Sequence, residues 1–227
     1  MPPLLPDHLR PAFHGFLHEI RNPMSAILTA SSLLTAPELL EESDFADLVK
    51  VVDDETRRMD RVVKGFDRYL HIAPPAKEKF NLAALIRSQI EELCAKKILK
   101  KKVRVVDDLP AKLMLTGDSS QIGEAMQAIL LNASQALQGN AHLPLVLALC
   151  PEESTSHIVF IIRDSGEGFT EESARRAFEP FYSSRSGATG LGLPMAMALL
   201  QNNGGNLEIV LSKKDSPGAC LRVTLNK

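Results

Sequence analysis

A histidine, an acid, an amide and a proline fall close together near the start of this sequence, in the stretch Phe-Leu-His-Glu-Ile-Arg-Asn-Pro of residues 16–23. Apolar residues around this stretch recur every three or four positions, which predicts a packed helix. His18 lies two positions from the nearest apolar residues of that repeat, so its ring points away from the packed face, and Asn22 shares its side. An exposed imidazole can react with a second molecule, but an ordinary surface histidine explains this segment alone equally well.

A second candidate group follows a predicted buried strand at residues 157–163. Asp164 comes directly after that strand, so its carboxylate would be held rigidly, and Gly166 and Gly168 would let a ligand approach the backbone closely. A tight turn without any ligand explains the same Asp-Ser-Gly-Glu-Gly pattern. The pattern predicts a binding site only when other residues support it.

A glycine-bearing loop, residues 187–193, leads into a predicted helix with the sequence Gly-Ala-Thr-Gly-Leu-Gly-Leu. Helix N-termini offer unpaired amide donors and the positive end of the helix dipole, so such a loop suits phosphate. It is not a Walker loop, because no Gly-Lys-Ser/Thr follows, and it does not follow a strand as in a Rossmann fold. The candidate phosphate-binding residues are Thr189, Gly190, Leu191 and Gly192.

Asn132 is a polar residue on a mostly apolar helix predicted over residues 119–138. An amide oxygen is an acceptable ligand for Mg²⁺ when phosphate oxygens complete the coordination. A partly buried structural amide is the commoner role of a lone asparagine. In combination with the strand-end carboxylate and the phosphate loop, Asn132 becomes the candidate metal ligand.

Two helices are predicted to carry His18. The first extends from Asp7 to about Ala36 and bends at Pro23, which removes a backbone donor. The turn is placed between Ala36 and Ser43, with a capping box at residues 35–38, and a long second helix follows to Leu70. Because two narrow apolar seams cannot enclose a core, we expect a second copy to complete a twofold four-helix bundle, which makes the protein a homodimer.

The remainder of the chain is predicted to form a separate domain. Pro74 and Pro75 interrupt the helical pattern, so residues 1–72 form the first domain, residues 73–79 a linker and residues 80–227 the second domain. Helices interspersed with hairpin-connected strands in the second domain indicate an α/β sandwich. The predicted fold class is α+β, with two domains.

Composition excludes several classes of function. A net charge of -2 over 227 residues cannot hold a polyanion, so nucleic acid is excluded as a partner. The spacing of the three cysteines fits no metal site, so we expect reduced thiols at Cys94, Cys150 and Cys220. No apolar run reaches the roughly 18 residues of a membrane span. We therefore expect a cytoplasmic protein without a membrane span in this chain.

Taken together, these motifs resemble the sensor histidine kinases of two-component signalling, which join a dimerisation and phosphotransfer domain to a Bergerat-type catalytic domain. Residues 16–23 resemble the H box of that family, and the helix bearing Asn132 resembles its N box. Residues 164–168, 178–181 and 190–193 resemble the first glycine box, the F box and the second glycine box. The boxes occur in the family's order across nearly the whole chain. The short loop before Gly190 resembles that of kinases related to nitrogen-regulation sensors.

The resemblance implies an ATP-dependent protein histidine kinase. Asp164 would accept a hydrogen bond from the adenine amino group, Asn132 would bind Mg²⁺, and the glycine loop would hold the phosphates of ATP. Arg185, in the short loop, is the candidate cation for the phosphates. These assignments place the nucleotide in the second domain.

For the first domain, the resemblance implies that His18 attacks the γ-phosphate and passes it to an aspartate on the receiver domain of a separate response regulator. Glu19 matches the acid that orients the ring or accepts its proton. Asn22 occupies the position used to orient water when the regulator is dephosphorylated. His14, one turn earlier, is the rival acceptor.

One position departs from the family pattern. The N box usually carries a second polar residue four places before its metal ligand, and Ala128 stands there. The change favours an alternative in which the chain is a non-catalytic dimeric scaffold that docks a regulator and only retains nucleotide. Related ATPases that use nucleotide to clamp or repair share the nucleotide boxes but do not need His18.

Overall fold

The computed structural model describes residues 10–35, 41–98, 105–137, 145–148, 156–185, 187–211 and 218–227. The chain divides into two compact units. The hairpin unit ends at His71 and also includes the segment Glu179–Leu191, whereas the sheet unit comprises Ile72–Phe178 and Gly192–Lys227. Each unit has its own interior.

The hairpin unit is built on two long helices, α1 (Arg10–Leu34) and α2 (Glu42–Leu70). Pro23 lies inside α1 and is buried. Helix α2 begins with the Glu41 N–H donating to the Asp44 carboxylate at 3.2 Å, which partners one of the amides at the helix start. The capping box predicted at residues 35–38 extends into a range outside the described residues.

The surface of the hairpin carries large apolar side chains as well as charges. Val62 and Phe66 are buried between the helices, but Leu28 is 60% exposed and Phe45 is 52% exposed. Exposed apolar side chains on both helices leave an apolar surface that this unit alone does not cover. This is the surface expected of a hairpin that packs against another chain.

The sheet unit contains seven strands and four helices among its described residues. In chain order these are β1 (Glu78–Asn81), α3 (Leu82–Ala95), β2 (Val105–Asp107), β3 (Met114–Gly117), α4 (Ser119–Ala136), β4 (Leu145–Ala148), β5 (His157–Arg163), α5 (Glu171–Arg176), α6 (Gly192–Asn202), β6 (Asn206–Ile209) and β7 (Cys220–Asn226). The main sheet has the order β2-β4-β5-β7-β6, and β1 pairs with β3 in a separate two-stranded sheet. In the main sheet only β2 and β4 are parallel.

One face of the main sheet forms the core. Ile158, Phe160 and Ile162 alternate with less buried residues along β5, as expected of a strand with one covered face. Helices supply the covering layer, because α4 packs against both α3 and α6, and α4 buries Met126 and Ile129 completely. The predicted α/β sandwich is confirmed.

One element differs from the sequence predictions. The range predicted as a linker up to Lys79 contains the start of β1, because Glu78 and Lys79 pair with β3 in an antiparallel register. Helix α3 ends at Ala95, because Lys97 adopts a left-handed backbone with φ 57°. The Ile98 N–H then donates to the Leu93 carbonyl at 3.0 Å, which closes the helix end.

Helix α4 begins at a capping aspartate. Asp118 Oδ1 accepts from the Gln121 N–H at 3.0 Å, and its Oδ2 accepts from the Ala76 N–H at 2.9 Å. These backbone donors lower the pKa of the Asp118 carboxyl below its ordinary value of 3.8, because they bind the ionised form more strongly. The ionised Asp118 carboxylate therefore stabilises the folded state fully above the pKa that it has in the unfolded chain. This stabilisation is lost as the pH falls through the lower pKa that it has in the folded protein.

Asp118→Asn should lower the free energy of unfolding of the sheet unit by about 1 kcal/mol at neutral pH, because a charge-assisted cap becomes a neutral one. The difference from the parent should shrink below about pH 4, where the unfolded carboxyl protonates. Urea unfolding across this pH range measures both, with the exposed Asp108→Asn as the control. A difference that does not change with pH would contradict the role of the charge.

Candidate functional site

His18 lies on the exposed side of α1, where the sequence predicted it. Asn22 Nδ2 is 3.2 Å from His18 Nδ1, one turn along the helix. In this orientation the amide donates to the ring. Rotation of the amide by half a turn would bring Oδ1 to the same place, where it would accept the proton of Nδ1 and leave the Nε2 lone pair available. The pair can therefore fix both the ring orientation and its tautomer.

The acid beside the histidine is engaged with the other helix. Glu19 Oε2 accepts from Arg58 Nη2 at 3.0 Å, and both side chains are more than three-quarters buried. Glu55 Oε2 lies 3.8 Å from Arg58 Nη1 on the far side of the guanidinium. This charge cluster ties α1 to α2 one residue from His18. Arg58 was not predicted as part of the site, although it lies four residues before the apolar Val62, which is fully buried, and therefore shares its face of α2.

The segment Glu179–Leu191 packs on the hairpin through aromatic rings. Phe16 stacks on Phe66 with centroids 4.5 Å apart, and the Phe181 ring lies 5.4 Å from Phe66 and 6.1 Å from Phe16. Gly15 makes the approach possible, because a Cβ there would lie 2.9 Å from the Phe181 Cβ. Phe181 itself has φ 67°, a left-handed conformation that costs about 1–2 kcal/mol. The ring contacts compensate this strain.

The same segment carries four of the candidate phosphate-binding residues. Arg185 is exposed, and its backbone N–H donates to the Ser183 hydroxyl at 3.0 Å. Gly190 has φ 66° and accepts from the Phe181 N–H at 3.0 Å, so glycine is required for this turn. Thr189 is half-buried and Leu191 is buried. All four belong to the hairpin unit together with His18, Glu19 and Asn22.

Asp164 lies at the end of β5 and is 3% exposed. Its Oδ1 accepts from the Gly166 N–H at 2.9 Å and from the Ala219 N–H at 3.1 Å. A backbone bond from the Asp164 N–H to the Ala219 carbonyl, at 2.9 Å, fixes the residue further. These bonds hold one carboxylate oxygen in a defined place and keep the side chain in a single orientation.

The glycines after Asp164 permit close backbone packing. A Cβ on Gly166 would lie 2.8 Å from the Ala136 carbonyl oxygen at the end of α4, and Gly168 has φ 74°. The loop therefore lies against the last turn of α4. Asn132 is one turn earlier on that helix and is half-buried, so the loop and Asn132 belong to the same region of the sheet unit.

Gly192 is the first residue of α6 and is exposed. A Cβ at this position would meet nothing within 4 Å, so the start of α6 is open. The sheet unit thus holds Asn132, Asp164, Gly166, Gly168 and Gly192. Within the described ranges, no three His, Cys, Asp or Glu side chains come together as a metal site, and no helix has the length and apolar character to cross a bilayer.

Family models match both parts of the chain. Residues 12–69 match the His Kinase A (phospho-acceptor) domain, and residues 117–227 match the histidine kinase-, DNA gyrase B-, and HSP90-like ATPase family. The first match contains His18, Glu19 and Asn22. The second contains Asn132, Asp164 and the glycine loop.

Curated relatives include sporulation kinase E of Bacillus subtilis, which is 26% identical over 93% of this chain and 28% of its own length. A putative sensor histidine kinase NtrY-like of Rickettsia bellii is 26% identical over 92% of this chain and 34% of its own. The chain therefore spans about a third of the length of these relatives.

Solved structures share the fold. The histidine kinase ThkA, in complex with the response regulator protein TrrA, gives a TM-score of 0.73 at 19% identity over 96% of this chain and 62% of that one. The histidine kinase AdeS of Acinetobacter baumannii gives 0.62 at 18% identity over 92% of this chain and 97% of that one. The matches to a phospho-acceptor domain and to an ATPase domain, in this order along the chain, place it in the sensor histidine kinase family.

Proposed function

We propose that this chain transfers the γ-phosphoryl group of ATP to His18 and then to an aspartate of a response regulator. The observation that carries the proposal is the exposed His18 ring, oriented by Asn22 at 3.2 Å, in a chain that also contains the buried Asp164 loop. A nucleophile needs an open approach, whereas recognition of a base needs a rigid, dry acceptor. The two sites meet these different requirements.

In the proposed nucleotide site, the Asp164 carboxylate accepts from the adenine amino group, and Gly166 and Gly168 allow the base to approach the backbone. The open start of α6 at Gly192 receives the phosphates with its amides and dipole. Thr189, Gly190 and Leu191 extend that set, and Arg185 adds a positive charge. Each residue contributes position or charge, which is what phosphoryl transfer chiefly requires.

Mg²⁺ fits this donor set, since it prefers oxygen ligands and is commonly held by few protein groups together with phosphates. Asn132 is half-buried on α4, one turn from the helix end that packs on the Asp164 loop, and it would supply the protein oxygen. When bound, the ion neutralises phosphate charge. Ala128, one turn earlier, cannot supply a second ligand.

In the transfer step, His18 Nε2 attacks the γ-phosphorus, a nitrogen–phosphorus bond forms, and the bond to the β-phosphate oxygen breaks to release ADP. The single proton of the neutral ring must reside on Nδ1 so that Nε2 carries the lone pair. Asn22 Oδ1 is within reach of that proton after rotation of the amide. Glu19, paired with Arg58, would stabilise the helix at this position and the positive charge that develops on the ring.

The proposed partners are a response regulator receiver domain and a second copy of this chain. The complex of ThkA with TrrA supports the first, and the exposed apolar residues of α1 and α2 support the second. We further propose that residues 1–72 act as the dimerisation and phosphotransfer domain, residues 80–227 as the catalytic domain, and residues 73–79 as the connection between them.

Incubation of the chain with γ-labelled ATP and Mg²⁺ tests the function. We expect label that is lost in acid and stable in base, as for a phosphoramidate, and no label after chelation of the metal. Acid-stable label would indicate transfer to a hydroxyl and a different class of kinase. Binding of ATP without label would support the scaffold alternative.

The variant Asn22→Ala should separate autophosphorylation of His18 from dephosphorylation of the regulator. The variant should retain autophosphorylation within about threefold of the parent, because His18 is exposed and water can replace the Asn22 amide as the partner of Nδ1. It should dephosphorylate the regulator at least about tenfold more slowly, because the attacking water is no longer oriented. Gain of label on His18 and loss of label from the phosphorylated regulator give the two rates, with exposed Arg21→Ala as the control. An equal fall of both rates would mean that Asn22 only supports the helix.

A further inference from the structure

Residues 72–77, between α2 and β1, have no regular secondary structure but are held by side chains of the sheet unit. The Ala73 carbonyl accepts two hydrogen bonds, from Gln121 Nε2 at 2.8 Å and from Asn202 Nδ2 at 2.8 Å. Ala76 donates its N–H to Asp118 Oδ2 at 2.9 Å. The two prolines lie between these fixed points, and their restricted φ stiffens the segment.

The side chains that hold this segment also bind one another. Gln121 Oε1 accepts from Asn202 Nδ2 at 2.9 Å and from Asn203 Nδ2 at 3.0 Å. Asn203 Oδ1 accepts from the Asp118 N–H at 2.9 Å. The network joins the start of α4 to the end of α6, so each side chain has little freedom to leave. We call the set Asp118, Gln121, Asn202 and Asn203 the linker clamp.

We propose that the linker clamp fixes residues 73–76 to the sheet unit and confines the flexible part of the connection after α2 to His71 and Ile72, with Gln121 and Asn202 acting as positioning residues for phosphorylation of His18. This inference rests on the proposed kinase function. It refines the prediction from sequence, in which residues 73–79 form a linker between the two domains. The clamp makes the connection a short pivot.

A short connection raises the effective concentration of the nucleotide residues of the sheet unit, Asn132 and Asp164, around His18. The effective concentration of tethered partners falls with about the three-halves power of the free length. Loss of the Ala73 bonds would extend the free length from residues 71–72 to residues 71–75, since Ala76 would still be held by Asp118. The expected loss in phosphorylation rate is about fourfold. Affinity for ATP should not change, because neither residue is in the proposed nucleotide site.

The test compares the full chain with the double variant Gln121→Ala/Asn202→Ala. At saturating ATP we expect His18 phosphorylation to slow about fourfold, with an unchanged dissociation constant for ATP. Amide hydrogen exchange at Ala76 should accelerate about tenfold, because its N–H remains bonded to Asp118 but that bond opens more often once Ala73 is released. Phosphotransfer from labelled His18 to a regulator should keep its rate, because that step does not use the nucleotide site, whereas a general folding defect would slow both steps. Gln201→Ala, an exposed neighbour on α6, is the matched control.

The outcomes separate this proposal from the proposed function. If the unmodified chain takes no label from γ-labelled ATP, the kinase function is contradicted, but hydrogen exchange still tests the linker clamp. Equal exchange rates at Ala76 in the unmodified chain and in the double variant would overturn the linker clamp. Faster exchange with an unchanged or higher rate of His18 phosphorylation overturns the positioning role. Gln121→Glu, which keeps the acceptor for Asn202 but loses the donor to Ala73, should give intermediate values for both readouts.

Discussion

His18→Gln should abolish autophosphorylation while leaving the affinity for ATP within about twofold of the parent. Glutamine keeps a polar side chain of similar reach on the exposed face of α1 but has no nucleophilic nitrogen, because its amide lone pair is delocalised. Of the proposed nucleotide residues, Asn132 and Asp164 lie in the other compact unit. The exchange also replaces an exposed side chain, so the packing of the nucleotide site should be unaffected. Labelling with γ-labelled ATP and calorimetric titration of nucleotide measure the two properties.

His14→Gln is the matched control, because His14 is also exposed and lies one turn earlier on the same helix. It should retain labelling. Phosphate mapped to a peptide position at His14, or full labelling of the His18 variant, would refute the assignment of the acceptor. Loss of ATP binding in His18→Gln would contradict the separation of the two sites.

Asp164→Asn should weaken ATP binding about 100-fold with little loss of stability. The amide keeps one oxygen that can accept from the Gly166 and Ala219 N–H groups, so the local backbone retains its partners. The other oxygen is replaced by an NH₂ group, which would place a donor against the donating amino group of adenine. A factor of 100 corresponds to about 2.7 kcal/mol.

Calorimetry with ATP and thermal unfolding without nucleotide measure this effect. Glu167→Gln, an exposed charge change in the same loop, is the control and should bind ATP as the parent does. An Asp164→Asn variant that binds ATP with unchanged affinity would exclude Asp164 as the adenine acceptor. A large fall in unfolding temperature would show instead that the ionised carboxylate mainly stabilises the junction of β5 and β7.

Local sequence patterns were sufficient for much of the fold. Strand β5 has the bounds predicted from its apolar run, and α4 begins at the predicted Ser119 and ends two residues before its predicted end. The periodicity of apolar residues and the positions of glycines depend on residues that are close in the sequence. Such patterns are clearest in long helices and in deeply buried strands. The structure confirms the predicted fold class, and the family models that match residues 12–69 and 117–227 confirm the predicted family.

The sequence alone determined the kinds of chemistry available: an exposed imidazole with an amide one turn away, a carboxylate at a strand end, and glycines at a helix start. The distant residues that bind these groups become apparent only from the packing of the helices and strands. Arg58 reaches Glu19 across the hairpin, Ala219 fixes Asp164 across the sheet, and Gln121 and Asn202 meet at Ala73. The physical reason is that a side chain's hydrogen-bond partner depends on which elements pack together, and local periodicity does not specify that pairing.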